Sequence, residues 1–251
     1  MRTEMEVPLM SGMDLSDRHV AVLGGSSGIG LETARLLASR GARVTIGGRN
    51  PGRLAAAAGE LGERVAALAV DATQPDSLRQ FFTAAGPISD LVITVTRRGG
   101  AGPVAELADA DLLGAFAGKP VAHLTAVALA LPTLAADGSV TLVSAASAQT
   151  AMPGTVGLAA VNGAVEAAVP PLAAELAPRR VNAVSPGVIE TPWWDEVPAD
   201  DREAAFKTYA QQTPVGRNGQ PEDVAQAIAA LVENGFITGV VLPCDGGLRL
   251  T

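Results

Sequence analysis

Three glycines and an arginine are the first residues of this 251-residue chain whose spacing suggests chemistry. The stretch VLGGSSGIGLETA carries Gly24, Gly28 and Gly30, with Ser26, Ser27 and Ile29 among them, between an apolar run and a segment of helical length. Glycine there lets the backbone turn tightly and approach a pyrophosphate. The helix start behind it offers free N–H groups and the positive end of its dipole. The second apolar run ends TIGGRN. A NAD site usually places an acid near that point, to bond both ribose hydroxyls. Here Gly48 removes the acid and Arg49 follows. A guanidinium suits the 2′-phosphate of NADP, so NADP(H) is expected ahead of NAD(H). The other reading of Arg49 is a solvated surface side chain.

Proton carriers are few. Lys119 and His123 lie four residues apart in AFAGKPVAHL, which places them on one helix face. Imidazole is the usual proton donor near neutral pH, and a desolvated lysine titrates lower than usual. The alternatives are Lys119 reaching solvent and His123 sitting at a helix contact. Ser144 and Ser147 flank Ala145. Strand alternation makes Ser147 the better substrate-facing hydroxyl if the strand continues that far. Local backbone bonding is the alternative for both serines. The chain has one tyrosine, Tyr209, and two tryptophans, Trp193 and Trp194. Adjacent tryptophans suit a flat apolar substrate or, equally, packing against the core. His19 opens the first strand, away from any ligand crevice, and has no expected part in chemistry.

These groups need a scaffold, and the pattern supplies one. Apolar runs at 19–24, 42–48, 64–71, 90–96, 138–144 and 180–186 read as strands. Segments at 29–41, 53–62, 74–85, 104–135, 157–177 and 220–233 read as helices. Such alternation predicts an α/β fold, a single-domain doubly wound parallel sheet of Rossmann type with helices on both faces. The domain is expected over 18–251, after a flexible tail at 1–17. Pro170 and Pro171 fall inside a long helix and predict a kink near Glu166 to Pro171.

Composition narrows the function classes. The net charge is −8, with no footprint for nucleic acid or anionic membrane. The single cysteine, Cys244, leaves no internal disulfide and no cysteine-based metal site, and no metal is expected. The sequence shows no apolar run read as membrane-spanning and no signal peptide at its start, so a cytoplasmic protein is expected.

The motifs together resemble the short-chain dehydrogenase/reductase superfamily over about residues 18 to 248. The glycine stretch resembles its TGxxxGxG, with Leu23 in the Thr position. Asp71, with Ala72 in VDAT, stands where the family's Asp contacts adenine. SPGVIET resembles its PGxxxT, whose Pro186, Gly187, Val188, Ile189 and Thr191 would line the nicotinamide. GRNGQPEDVAQAIAALV followed by ITGVVLPCDGG matches its C-terminal signature. The resemblance implies hydride exchange with a small-molecule substrate, a substrate lid at about 191–214 carrying Trp193, Trp194 and Tyr209, and a homodimer or homotetramer. It also implies a Ser, Tyr and Lys at the catalytic centre and an Asn on the preceding helix. Those positions read Ala145, Leu158, Asn162 and Lys119, and NNAG reads Thr94, Val95, Thr96 and Arg97. Lysine and asparagine have thus exchanged places.

Two functions fit. One is an NADP(H)-dependent oxidoreductase with a non-standard proton relay through Lys119, Asn162, Ser147 or His123, acting on an apolar carbonyl, alcohol or activated alkene. The other is the same fold without redox activity, as a binding or regulatory subunit or a repurposed isomerase or cyclase.

Overall fold

The structure is a computed structural model that describes residues 15–251. Seven strands, all parallel, lie in the order β3-β2-β1-β4-β5-β6-β7. They are β1 (His19–Leu23), β2 (Arg43–Gly48), β3 (Val65–Ala69), β4 (Ile88–Ile93), β5 (Leu134–Val143), β6 (Arg180–Pro186) and β7 (Val241–Cys244). The last is short and contains Pro243, so it does not stand out as a strand in the sequence. Helices α1 (Gly28–Ser39), α2 (Pro51–Leu61) and α8 (Pro221–Glu233) bury Leu37, Leu54 and Ile228 on one face of the sheet. On the other face lie α3 (Pro75–Ala85), α4 (Asp109–Phe116), α5 (Ala122–Ala130) and α6 (Val156–Glu175), burying Phe81, Phe82, Ala126 and Val165. The chain reverses direction across the sheet between β1 and β4. Open parallel sheets form their ligand crevice there, outside the carboxyl ends of the strands.

Several boundaries differ from expectation. The helix expected over 104–135 is a 3-10 turn at Val104–Glu106, then α4, a π-helical turn at Ala117–Val121, and α5. Pro120 explains the π turn: it has no N–H to donate to the preceding turn, and the wider register absorbs that loss. Pro170 and Pro171 lie inside α6, which is helical from Val156 to Glu175, close to the expected 157–177. Both prolines and Ala167 are exposed, so carbonyls freed by the missing N–H groups face water. By length and composition Asp109–Ala130 and Val156–Glu175 are apolar enough to cross a bilayer, a property the sequence reading missed. In the fold their inner faces pack on the sheet through Ala122, Ala126, Val165 and Val169.

The body also begins earlier than residue 18. Leu15, assigned to the tail from sequence, is 4% exposed, and its N–H donates to the Arg40 carbonyl at 2.9 Å. Residues 1–14 of the expected tail lie outside the described residues.

At the sheet end opposite the crevice, Asp90 is fully buried. It accepts a two-bond fork from Arg18 Nε and Nη2, at 2.9 and 2.7 Å, and the Ser139 hydroxyl at 2.6 Å. His19 lies at the same end, bonded to Thr45 Oγ1 at 2.8 Å. Removing the carboxylate leaves a half-buried cation and a buried hydroxyl unmet. Asp90→Ala is therefore expected to lower stability by about 3 kcal/mol in urea unfolding, without altering nucleotide binding.

Candidate active site

The glycine turn closes between β1, β2 and α1. The N–H groups of Gly24 and Gly25 both donate to the Gly47 carbonyl, at 2.8 and 3.1 Å. Gly24 has φ +89°, which favours glycine. A Cβ on Gly30 would lie 2.3 Å from the Gly24 carbonyl oxygen, so only glycine lets α1 approach the turn this closely. Ser27 caps α1 without a side-chain bond, which leaves its first N–H groups for another acceptor. A Cβ on Gly28 would stand 3.3 Å from Thr191, so the turn and the PGVIET segment meet there as two walls of one cleft. The close approach leaves the uncapped start of α1 at the turn, where its free N–H groups suit a pyrophosphate.

The adenosine end lies beyond β2 and β3. Arg49 is exposed at the end of β2, and Gly48 adjoins the Ser26 hydroxyl. The Asp71 carboxylate accepts the Thr73 hydroxyl at 2.7 Å and the Thr73 N–H at 3.0 Å. Those bonds, with a smaller contribution from the Arg49 charge, hold it below the usual carboxylate range. Arg49 and Asp71 thus sense one another electrostatically, and Ala72, next to Asp71, is buried. At the other end β6 stops at Pro186. The Gly187 N–H donates to the Cys244 carbonyl at 3.1 Å, and Ile189 is buried.

Beyond β5 the candidate catalytic residues separate into two groups. The strand ends at Val143, so Ser147 sits in a 3-10 turn at Ala146–Ala148 and not on an extended strand. Its oxygen accepts from Asn162 Nδ2 at 3.1 Å, while the same Nδ2 donates to the Leu158 carbonyl at 2.9 Å. Asn162 Oδ1 is buried without a partner among the described residues. An acceptor left unmet beside the cleft fits a hydroxyl-bearing ligand such as a ribose. Ala145 and Leu158 bring no polar side-chain group.

Lys119 is in the π turn, which packs against α6, and is 7% exposed. Its ammonium donates to the Ser144 carbonyl at 3.1 Å. Burial pushes it down to about 8, with the Glu166 carboxylate opposing part of that shift. His123 is 1% exposed, and its Nε2 lies 2.9 Å from the Val95 carbonyl. Burial first, and then the Lys119 charge, push it down to about 3, against the Val95 hydrogen bond. The imidazole is thus neutral, with Nε2–H directed at Val95. The ring thus ties its helix to the loop after β4.

Sequence reasoning missed Glu166. It accepts the hydroxyls of Ser144 and Ser185 at 2.7 and 2.8 Å and the Gln149 amide at 2.8 Å. The available signal was its place one turn after Asn162 on the same helix face. Tyr209 lies in the lid with its ring 6.3 Å from Trp194, which also contacts Trp193 and Phe206 at 4.9 and 5.3 Å. Trp194 Nε1 donates to the Ile189 carbonyl at 3.1 Å, tying this aromatic cluster to the PGVIET segment.

Comparisons with known proteins show which family the chain resembles over nearly its whole length. The family described as enoyl-(acyl carrier protein) reductase matches residues 24–249. Cis-4-hydroxycyclohexanecarboxylate dehydrogenase from Sinomonas cyclohexanicum is 37% identical over 94% of this chain and 98% of its own length. A small-chain dehydrogenase solved with NADPH is 31% identical, covers 93% of this chain and 99% of its own, and superposes with a TM-score of 0.82. An NADPH-bound short chain oxidoreductase from Pseudomonas aeruginosa, described as containing an atypical catalytic center, is 32% identical over 94% and 98% of the two chains, with a TM-score of 0.86.

The Lys119 shift has a stability consequence. The folded state lowers its pKa from 10.5 to about 8, so the unfolded chain binds the proton more tightly. Stability therefore rises between about pH 8 and pH 10.5 as the folded and then the unfolded lysine become neutral. Lys119→Met is expected to gain up to about 3 kcal/mol at pH 7 and to lack that rise, in urea unfolding across the pH range.

Proposed function

Because the chain belongs to the short-chain dehydrogenase/reductase superfamily, we propose that it is an NADP(H)-dependent oxidoreductase in which Lys119 and Ser147 handle the proton. The observation carrying this reading is a buried lysine brought to about 8 at the end of β5, packed against the helix whose Asn162 holds the Ser147 oxygen. A group that titrates near the working pH both gives and takes a proton readily. The substrate is an apolar ketone, alcohol or activated alkene. A ring alcohol is the best starting choice, since one relative is named for oxidising a hydroxycyclohexane.

Gly24, Ser26, Ser27, Gly28, Ile29 and Gly30 would hold the pyrophosphate, Arg49 the 2′-phosphate, and Asp71 with Ala72 the adenine. Pro186, Gly187, Ile189 and Thr191 would line the nicotinamide. When bound, the cofactor exchanges a hydride with the substrate carbon. The chain's own part is to orient the substrate and move the proton. With its oxygen taken by Asn162, Ser147 keeps its O–H for the substrate oxygen. Lys119, protonated below about pH 8, supplies positive potential as an alkoxide develops. His123 anchors the Lys119 helix to Val95. Self-association is part of the proposal, because Leu113, Val121, Leu124 and Val156 on α4, the π turn, α5 and α6 are exposed.

A fluorescence titration with NADPH, and with NADH as control, tests the cofactor half. NADPH is expected to bind at least about ten-fold tighter than NADH, with the preference lost in Arg49→Glu. Equal binding of the two nucleotides would remove Arg49 from its role. In turnover of a ring ketone, kcat is expected to fall as pH rises through about 8. Lys119→Ala should lower kcat by about 100-fold and abolish that limb. A variant with full activity and an unchanged profile would eliminate Lys119 from the relay.

A further inference from the structure

Arg98 joins the two walls of the cleft. It lies in the loop after β4, followed by Gly99 and Gly100 at φ +141° and +80°. A Cβ on Gly99 would stand 2.6 Å from the Asp111 carbonyl oxygen, and one on Gly100 would stand 2.9 Å from Gly157. The Gly100 carbonyl accepts the Leu158 N–H at 3.1 Å. The loop is therefore clamped between α4 and α6, beside Leu158. From there the side chain crosses to the lid. Its guanidinium carbon lies 4.6 Å from the centre of the Trp193 ring, and Nε lies 3.3 Å from the Glu196 carboxylate. Nη2 is buried and has no hydrogen-bond partner among the described residues.

Nε and Nη2 form the edge with which a guanidinium grips a carboxylate through two parallel bonds. The protein uses that edge elsewhere, where Arg18 Nε and Nη2 hold Asp90 at 2.9 and 2.7 Å. On Arg98 the same edge is half used. One donor has a long contact to a carboxylate that is 77% exposed, and the other has nothing. A buried donor on a cation is costly to leave unmet. The exposed pair with Glu196 holds the position weakly.

We propose that Arg98 and Trp193 form a subsite for the carboxylate of an apolar ligand. The carboxylate displaces Glu196 and takes both Nε and Nη2. The ligand's apolar body lies along Trp193 and is covered by the lid. This rests on reading the lidded cleft as the substrate site, and it adds a recognition element that hydride exchange by itself does not require. The ligand class is a monocarboxylate with a flat or ring-shaped apolar body.

The test needs no turnover. Trp193 and Trp194 are the chain's two tryptophans, so intrinsic fluorescence reports on this site. The full chain is titrated with cyclohexanecarboxylate and with the neutral cyclohexanecarboxamide, with and without saturating NADP+. The carboxylate is expected to bind about ten-fold tighter than the amide, and Arg98→Gln should erase the difference. Glu196→Gln, at an exposed position that the fold tolerates, should tighten the carboxylate by removing its competitor. No saturable change with either compound in the wild type overturns the proposal. So does equal binding of the two compounds, a preference that survives Arg98→Gln, or unchanged affinity in Glu196→Gln. If NADPH fails to bind while the carboxylate preference holds, the redox reading falls and the subsite stands.

Discussion

The Glu166 carboxylate is the contact on which the candidate active site depends. It projects from α6 and accepts hydroxyls from the ends of two neighbouring strands, Ser144 after β5 and Ser185 in β6. One side chain thus sets the distance between the helix carrying Asn162 and the strand ends that face it. Hydrogen bonds to an ionised acceptor are the stronger kind, so this joint is stiff where the chemistry needs fixed positions. It also places a negative charge near Lys119. That charge offsets part of the cost of burying the ammonium, which bonds the carbonyl of the same Ser144.

A proline shapes the other side of the site. Pro120 cannot continue an α-helical hydrogen-bond ladder, and the chain answers with a π turn. π turns shift the side chains they carry relative to the helix on either side. Here the shift comes at Lys119, with His123 a turn later directed at Val95. The two residues sense one another electrostatically, and the lysine charge helps keep the imidazole neutral. The lysine is thereby left as the titratable group of this pair near neutral pH.

The cofactor half follows from space more than from charge. Gly24, Gly28 and Gly30 stand where a side chain would strike the backbone or Thr191, so the turn and the PGVIET wall approach closely. Arg49 and Asp71 add opposite charges at the far end without blocking it. The lid is tied to this half through Trp194 and the Ile189 carbonyl, and to the other wall through Arg98. Its aromatic cluster accounts for Tyr209, whose ring packs beside Trp194.

The sequence alone determined the parallel sheet and its two helical layers. Those features depend on periodicity and on glycines whose reason is local: a tight turn, a close approach, an open helix start. It also carried the expectation, by resemblance alone, that Ala145, Leu158 and Asn162 stand at the usual serine, tyrosine and lysine positions. What it could not determine was which remaining polar groups meet. Ser147 was the better substrate-facing hydroxyl only if the strand reached it, and the strand stops at Val143, leaving Ser147 in a turn. His123 read as a candidate proton donor and proved committed to Val95. Arg98 carried no local signal as a site residue, and Glu166 only its place one turn after Asn162, since their partners lie on other elements far along the chain. Burial, and with it the lowered pKa of Lys119, arises only when two helices and a strand end close around a side chain, and only the tertiary structure decided that.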